Sequence, residues 1–326
     1  MQDGYNRVID YIRISVTDRC NLRCVYCMSQ EGVETYPEGH LLSHDELVTV
    51  VTAAAALGVN KVRITGGEPL ARPGLTALVE SIKKIPGIEN LSLTTNGVLL
   101  EKYASELAAC GLDRVNVSLD SMKAARYAEI TRGGDILKVF KGIEAAERAG
   151  LTPVKINMVP VRGLNDDEIE DFARLTLTEP KNIRFIEFMP FGKGTQWSRH
   201  RCVGSQEMRE RVEAIAPMEP VKLRKYGPAR YYRFRGAPGV IGFISAVTHH
   251  FCGECNRLRL TSDGKLRPCL YSESEIDLRG PLRNGADTQE IMRLLRLAVE
   301  VKPEGHRLTE NAAPPSDKKP MSKIGG

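Results

Sequence analysis

Six short apolar runs, alternating with stretches of helical periodicity, constrain the fold of this chain more than any other feature. The runs cover residues 11–16, 61–65, 91–95, 114–119, 154–159 and 183–189. The periodic stretches cover 44–57, 74–85, 101–110, 135–149 and 166–177. Ser43 precedes the first stretch and Glu46 follows three residues later, a capping-box pair. Gly58, Gly111 and Gly150 each follow a helix end, where a left-handed residue closes the last turn. Strands separated by helices run parallel, through right-handed crossovers. Two architectures satisfy that rule, an incomplete TIM-type barrel and an open doubly wound sheet. Both gather function at the C-terminal strand ends. The rhythm stops near residue 195. Residues 196–239 are rich in Arg, Pro and Gly, and strand-like pieces follow at 240–244 and 258–261. The expected organisation is an α/β body over 1–195, an extension packed on it over 196–300, and a mobile tail over 301–326 ending in Gly325 and Gly326.

The 326 residues are 42% hydrophobic, which supports a sizeable core. A net charge of +5 without dense basic blocks suits an acidic small molecule better than a nucleic-acid surface. The first ten residues lack the apolar core of a signal peptide. The longest apolar stretch, 48–59, is broken by Thr49 and Thr52 and is shorter than the roughly 20 residues of a membrane span. The expected compartment is the cytoplasm, with neither membrane nor nucleic acid as partner. Thiols stay reduced there, so eight cysteines point to metal or catalysis rather than to cross-links.

Six of the eight form two sets. Cys20, Cys24 and Cys27 stand in CNLRCVYC just after the first strand. Soft thiolates this close suit iron–sulfur, zinc or copper(I), and three of them leave one iron of a [4Fe–4S] cube open to a ligand. Core filling on one helical face is the bland alternative, against which polar Asn21 and Arg23 argue. A zinc site completed by His40 or His44 is another. Cys252, Cys255 and Cys269 form a C-x2-C-x13-C pattern, which a structural zinc completed by His249 or His250 would also explain. Arg257, Arg259 and Arg267 lie beside these thiols, and guanidinium forks match phosphate oxygens.

The C-x3-C-x2-C spacing, with Tyr26 before the last Cys and GGEP at 66–69 after the second strand, resembles the radical S-adenosylmethionine (SAM) superfamily. THHFCGECNRLRLTSDGKLRPCL narrows the likeness to the GTP 3′,8-cyclase (MoaA) family of molybdenum-cofactor biosynthesis. RITGGEPL, VNVSLDS, VKINMV, RFIEFMP, KPEGHRL and the terminal glycines follow in the family's order over nearly the whole chain.

The resemblance implies an incomplete (β/α)6 TIM-type barrel with a C-terminal extension that carries a second iron–sulfur cluster. It implies two [4Fe–4S] clusters, one on each cysteine set, with SAM on the first and GTP between them. Tyr26, Gly66, Gly67, Glu68, Pro69, Thr94, Ser118 and Met189 match cofactor-binding positions. Arg13, Lys61, Arg63, Lys155, Arg184, Arg257 and Arg259 match substrate-binding positions. A triphosphate carries about four negative charges, which several inward-pointing cations on one barrel would answer. Arg13, Gly325 and Gly326 match positions that assist catalysis, the glycines by inserting the tail. The implied reaction abstracts the ribose C3′ hydrogen by a 5′-deoxyadenosyl radical and yields 3′,8-cyclo-7,8-dihydro-GTP. The implied partners are a reductant, a second copy in a homodimer, and a downstream cyclic pyranopterin monophosphate synthase (MoaC) that receives the product. A radical SAM peptide modifier and a zinc-stabilised nucleotide-binding protein are the rival readings.

Overall fold

The structure is a computed structural model that describes residues 1–37, 39–191, 197–222, 227–306 and 320–325. The first half alternates strand and helix: β1 Tyr11–Ser15, α1 His44–Ala56, β2 Lys61–Thr65, α2 Leu75–Lys83, β3 Asn90–Thr95, α3 Leu100–Ala109, β4 Arg114–Ser118, α4 Ala124–Thr131, α5 Ile136–Arg148, β5 Lys155–Met158, α6 Ile169–Thr178 and β6 Asn182–Ile186. The expected capping box is present, with Ser43 Oγ accepting from the Glu46 amide and the Glu46 carboxylate accepting from the Ser43 amide. Gly58, Gly111 and Gly150 all take positive φ. Helix α4 was not expected from the sequence and fills the connection between β4 and α5.

Strands β1 to β6 are neighbours in order, and each adjacent pair is parallel. Alternation assigns their two faces. Ile12, Ile14, Val62 and Ile64 are fully buried against the helices, while Arg13 and Arg63 point to the opposite face. Helix α5 shows why the outer layer forms. Ile136, Val139, Ile143 and Ala146 recur at three- and four-residue spacing and bury one stripe, which packs on α3. Each fully buried Ile or Val side chain contributes about 1.5–3 kcal/mol relative to exposure.

The extension adds α7 Ser205–Glu213, β7 Met218–Val221, β8 Arg230–Phe234, β9 Val240–Ile244, β10 Arg257–Leu260, β11 Lys265–Arg267, β12 Ile276–Asp277, α8 Arg279–Arg283 and α9 Thr288–Glu300, and α10 Met321–Ile324 ends the chain. It does not merely pack on the body. Strand β9 pairs parallel with β6, and β10 pairs parallel with β1, so the extension continues both edges of one twelve-stranded sheet. The cause is the row of backbone donors and acceptors that β1 and β6 would otherwise leave unpaired. The connection from β9 to β10 runs from one edge to the other and carries Cys252 and Cys255. Both described ends of the expected tail pack on the body, with Lys302, Ser322 and Ile324 buried. The expected body–extension boundary at 195–196 and Gly326 lie outside the described residues. Among the described residues, no helix is long and apolar enough to cross a membrane.

Candidate functional site

One cavity of about 620 Å³ is bordered by residues of β1 to β6, β8, β9 and β10, so the sheet face opposite the helices is concave. The volume is that of a small-molecule site. All six motif cysteines border it, Cys20, Cys24 and Cys27 in the loop after β1, Cys252 and Cys255 in the β9–β10 connection, and Cys269 after β11. None is in a disulfide. Cys110 and Cys202 do not border it; Cys110 caps α3 and packs on the core.

The thiols differ electrostatically, with Cys252 pushed up by burial like those of the first set and Cys255 set apart. Burial, followed by the neighbouring thiols, pushes Cys24 well above the ordinary thiol range, and burial pushes Cys27 up to about 12. Those sulfurs become comfortable as thiolates only beside a positively charged centre. Burial also pushes Cys255 up, but Arg257 and Lys302 outweigh it and bring the thiol down to about 7. Among the described residues, no three His, Cys, Asp or Glu groups are arranged to close around a single metal ion. Three soft sulfurs around a cavity fit a larger centre of iron and sulfide, held by thiolates that stand further apart. The histidines of the zinc alternative for the first set are elsewhere. His44 bonds Ser81 on α2 at 3.0 Å, and neither His40 nor His44 borders the cavity.

Between the sets lies a cationic face. Arg13 stands in register with Arg259 on one side and with Arg63 on the other, and the row continues through Ser92 to Arg114. Lys61, Lys155, Arg184 and Arg257 also border the cavity. Several of them bond or lie against neutral groups. Arg63 donates to Ser92 Oγ at 3.2 Å, Arg184 to Asn116 Oδ1 at 2.7 Å, and Arg259 to the Gly325 carbonyl at 2.6 Å. Arg257 lies over the Phe251 ring, and Lys155 over Tyr231. Neutral partners do not cancel the charge, and crowding has its effect. Burial, then the nearby guanidiniums, brings Lys155 down to about 7 and Arg259 down to about 10. Burial also brings Arg184 to about 10. Such a face can receive a polyanion. Lys61 differs, because its ammonium already pairs with Asp10 at 2.5 Å.

Of the expected cofactor positions, Tyr26, Gly66, Gly67, Thr94, Ser118 and Met189 border the cavity. A Cβ on Gly67 would lie 2.3 Å from the Arg19 carbonyl oxygen, so only glycine permits this packing of the loop against the first cysteine loop. Glu68 and Pro69 do not border the cavity; both are buried behind it. The Glu68 carboxylate turns inward and accepts from the Leu70 amide at 3.0 Å, Thr95 Oγ1 at 2.7 Å and the Asn96 amide at 2.7 Å. Burial pushes it up to about 7 against those three bonds. Its place is that of a tie between the glycine loop and the end of β3.

Several cavity residues were missed. Arg114, at the start of β4, extends the arginine row and bonds Asn90. Asp120 accepts from the Tyr26 hydroxyl and, at 2.8 Å, from the Val159 amide, and burial pushes it up to about 6. Arg114 could have been read from its position at the start of a strand beside β5, which carries Lys155. Asp120 stood inside the quoted motif VNVSLDS. Gly325 docks beside β1 and β2, with φ of 74° and no room for a side chain.

Comparisons with known proteins find relatives along the whole chain. A family described as the Radical SAM superfamily matches residues 14–176, and one described as Molybdenum Cofactor Synthesis C matches residues 181–308. The chain is 51% identical to the GTP 3′,8-cyclase of Pelotomaculum thermopropionicum and 48% identical to that of Thermodesulfovibrio yellowstonii. Each alignment covers 100% of both chains. Among solved structures it is similar to Streptococcus suis SuiB bound to S-adenosylmethionine, with a TM-score of 0.59 at 14% identity, over 87% of this chain and 68% of that one. That last likeness is one of fold alone.

Proposed function

The chain belongs to the radical SAM family of GTP 3′,8-cyclases, and from that premise we propose how its central cavity carries the reaction. The protein is an enzyme of molybdenum-cofactor biosynthesis that uses SAM and an iron–sulfur cluster to cyclise GTP. With those cofactors bound, the site would supply a 5′-deoxyadenosyl radical to take the C3′ hydrogen of the ribose; C3′ would then bond to C8 of guanine, and one electron from the reductant with one proton would complete 3′,8-cyclo-7,8-dihydro-GTP.

Each cysteine triplet holds its own [4Fe–4S] cluster, and in each cluster one iron stays open because only three thiols are offered. Cys20, Cys24 and Cys27 serve SAM. Cys252, Cys255 and Cys269 serve the guanine. The main chain at Gly66 and Gly67 receives the amino group of SAM, with Tyr26, Thr94, Ser118 and Met189 around its remaining groups. Glu68 and Pro69 act one layer back, by fixing that loop. Arg13, Arg63, Lys155, Arg184, Arg257 and Arg259 hold the triphosphate, joined by Arg114. Lys61 acts at the rim, where it is shared with Asp10. The tail brings Gly325 and Gly326 to the substrate. Sheet and helices together make an incomplete (β/α)6 barrel, its mouth covered by the β9–β10 connection. A low-potential reductant, a homodimer, a cytoplasmic setting and a separate cyclic pyranopterin monophosphate synthase complete the proposed context.

One observation above all supports this reading: both cysteine triplets border the same cavity as Arg13, Arg63, Arg114, Arg184, Arg257 and Arg259. A peptide substrate would leave most of that positive charge without a counterpart. The deciding experiment is anaerobic incubation with SAM, a strong reductant and GTP. The expected result is 5′-deoxyadenosine together with a cyclised nucleotide, from protein that holds about eight irons per chain. SAM cleavage that GTP does not accelerate, with GTP recovered intact, would overturn it.

A further inference from the structure

Residues 302–306, at the start of the expected tail, run past the segments that carry all three cysteines of the C-terminal set. Lys302 is only 3% exposed. Its ammonium donates to the Arg257 carbonyl at 2.8 Å and to the Pro268 carbonyl at 2.7 Å, and it lies 3.6 Å from the Cys255 sulfur. Arg257 is two residues beyond Cys255, and Pro268 immediately precedes Cys269. One cation therefore ties together the two backbone segments that carry these thiols. At the third, the His306 amide donates to the Cys252 sulfur. Gly305 lies so close that a Cβ built there would stand 3.4 Å from the Cys252 Cβ.

The strap is itself held from the other terminus. Arg7 is buried and paired with Asp3 at 2.6 Å. Its Nη1 donates to the carbonyls of Cys252 and Glu304, each at 2.7 Å, and its Nη2 donates to the Pro303 carbonyl at 2.6 Å. Both the thiol loop and the strap are thus fixed to one guanidinium.

A buried ammonium is costly unless an anion answers it. Lys302 has three donors; two go to neutral carbonyls, and the third faces sulfur. A cluster held at Cys255 would supply the negative charge that faces this ammonium. We propose that Lys302 is a positioning residue for the second cluster: it fixes the separation of Cys255 and Cys269 and places a positive charge beside the iron–sulfur centre they hold. The proposal rests on the reading that this triplet carries a cluster. A cation there favours the reduced, more negative form of the centre, so removing it lowers the midpoint potential.

The test uses the full chain, prepared without oxygen, with three variants. Lys302→Met removes donors and charge, Lys302→Gln keeps a donor but no charge, and Lys302→Arg keeps the charge. Iron and labile sulfide per chain are measured, with a redox titration followed by electron paramagnetic resonance. Lys302→Met is expected to lose about half of the wild-type iron, while SAM cleavage uncoupled from GTP continues at the first cluster. Lys302→Gln is expected to retain both clusters, with the second titrating at a lower potential, and Lys302→Arg is expected to restore that potential. Wild-type iron in Lys302→Met together with an unshifted potential in Lys302→Gln overturns the proposal. Unsubstituted chain that holds iron only at the first triplet overturns the two-cluster reading, and the role of Lys302 with it. That failure is recognisable because it shows in the wild type.

Discussion

The Arg259 guanidinium donates to the carbonyl of Gly325 at 2.6 Å, joining the strand next to the second cysteine set to the last described residue of the chain. Arg259 also stands in register with Arg13 across the β10–β1 pair. The same side chain thus borders the polyanion face and holds the tail against it.

Replacing Arg259 by Ala removes both functions. Truncating a buried, hydrogen-bonded charge costs about 2–5 kcal/mol, at least about 30-fold in affinity. The expected outcome is a rise of that size in KM for GTP, while uncoupled SAM cleavage changes by less than about threefold. Steady-state kinetics with both products quantified checks it. Equal loss of the two activities would remove Arg259 from the substrate side of the reaction.

Lys155 is expected to make GTP binding depend on pH. Burial, with Arg184 and Arg114 next, holds its ammonium down to about 7. A phosphate beside it favours the charged form and raises that value in the complex. Below about pH 7 the free protein already carries the proton, and affinity is flat. Above it the complex must take up a proton, so affinity falls as pH rises, by up to about tenfold per unit, until the raised value is passed. Calorimetry at pH 8 in two buffers of different ionisation enthalpy should show uptake of close to one proton. Lys155→Met should bind more weakly and without that uptake. Undiminished uptake in the variant would assign the proton to another group.

What the sequence made legible follows how local each signal is. Strands β1 to β6 fell within one or two residues of expectation at most ends, because alternation is written in the strand itself. The course of the extension is not written locally. Nothing in residues 240–244 says that they pair with β6, or in residues 257–260 that they pair with β1, so an integral part of the sheet reads as an appendage. Helix α9 carried its own signal, an Asp287 cap with Ile291, Leu294, Leu295 and Ala298 buried along one stripe, but stood where the rhythm had stopped. Within the site, residue types and spacing pointed to the cysteines and the cationic strands. Side-chain direction was another matter. Glu68 turns away from the cavity because donors on Thr95 and Asn96, far along the chain, face it from the end of β3.

That inward turn makes Glu68 a test of loop support rather than of ligand contact. In Glu68→Gln the new amide nitrogen faces either the two donors of Leu70 and Thr95 or the single N–H of Asn96. Leaving a buried donor unsatisfied costs about 1–3 kcal/mol. The expected outcome is a loss of that size in denaturant unfolding of the anaerobic holoprotein, with SAM binding weakened and iron content unchanged. Wild-type stability with abolished SAM binding would instead make Glu68 a direct contact.

Gly325 offers the sharpest steric test. Its φ of 74° is left-handed, and a Cβ there would lie 2.5 Å from Thr65 Oγ1 and 3.1 Å from the Ser15 Cβ. Alanine therefore meets a conformational cost of about 1–2 kcal/mol as well as a clash with β1 and β2. The docked segment is only the four-residue α10 and Gly325, so its withdrawal should leave the fold intact, with unfolding midpoint and iron content as in the wild type. What should be lost is the docked tail, with its carbonyl at Arg259. Cyclised nucleotide formed by Gly325→Ala is expected to fall at least about tenfold while SAM binding is retained, as each 1.4 kcal/mol corresponds to one decade. Deleting residues 325 and 326 should reproduce that loss without adding to it. Full turnover by the alanine variant would show that docking of the tail is not needed for the reaction.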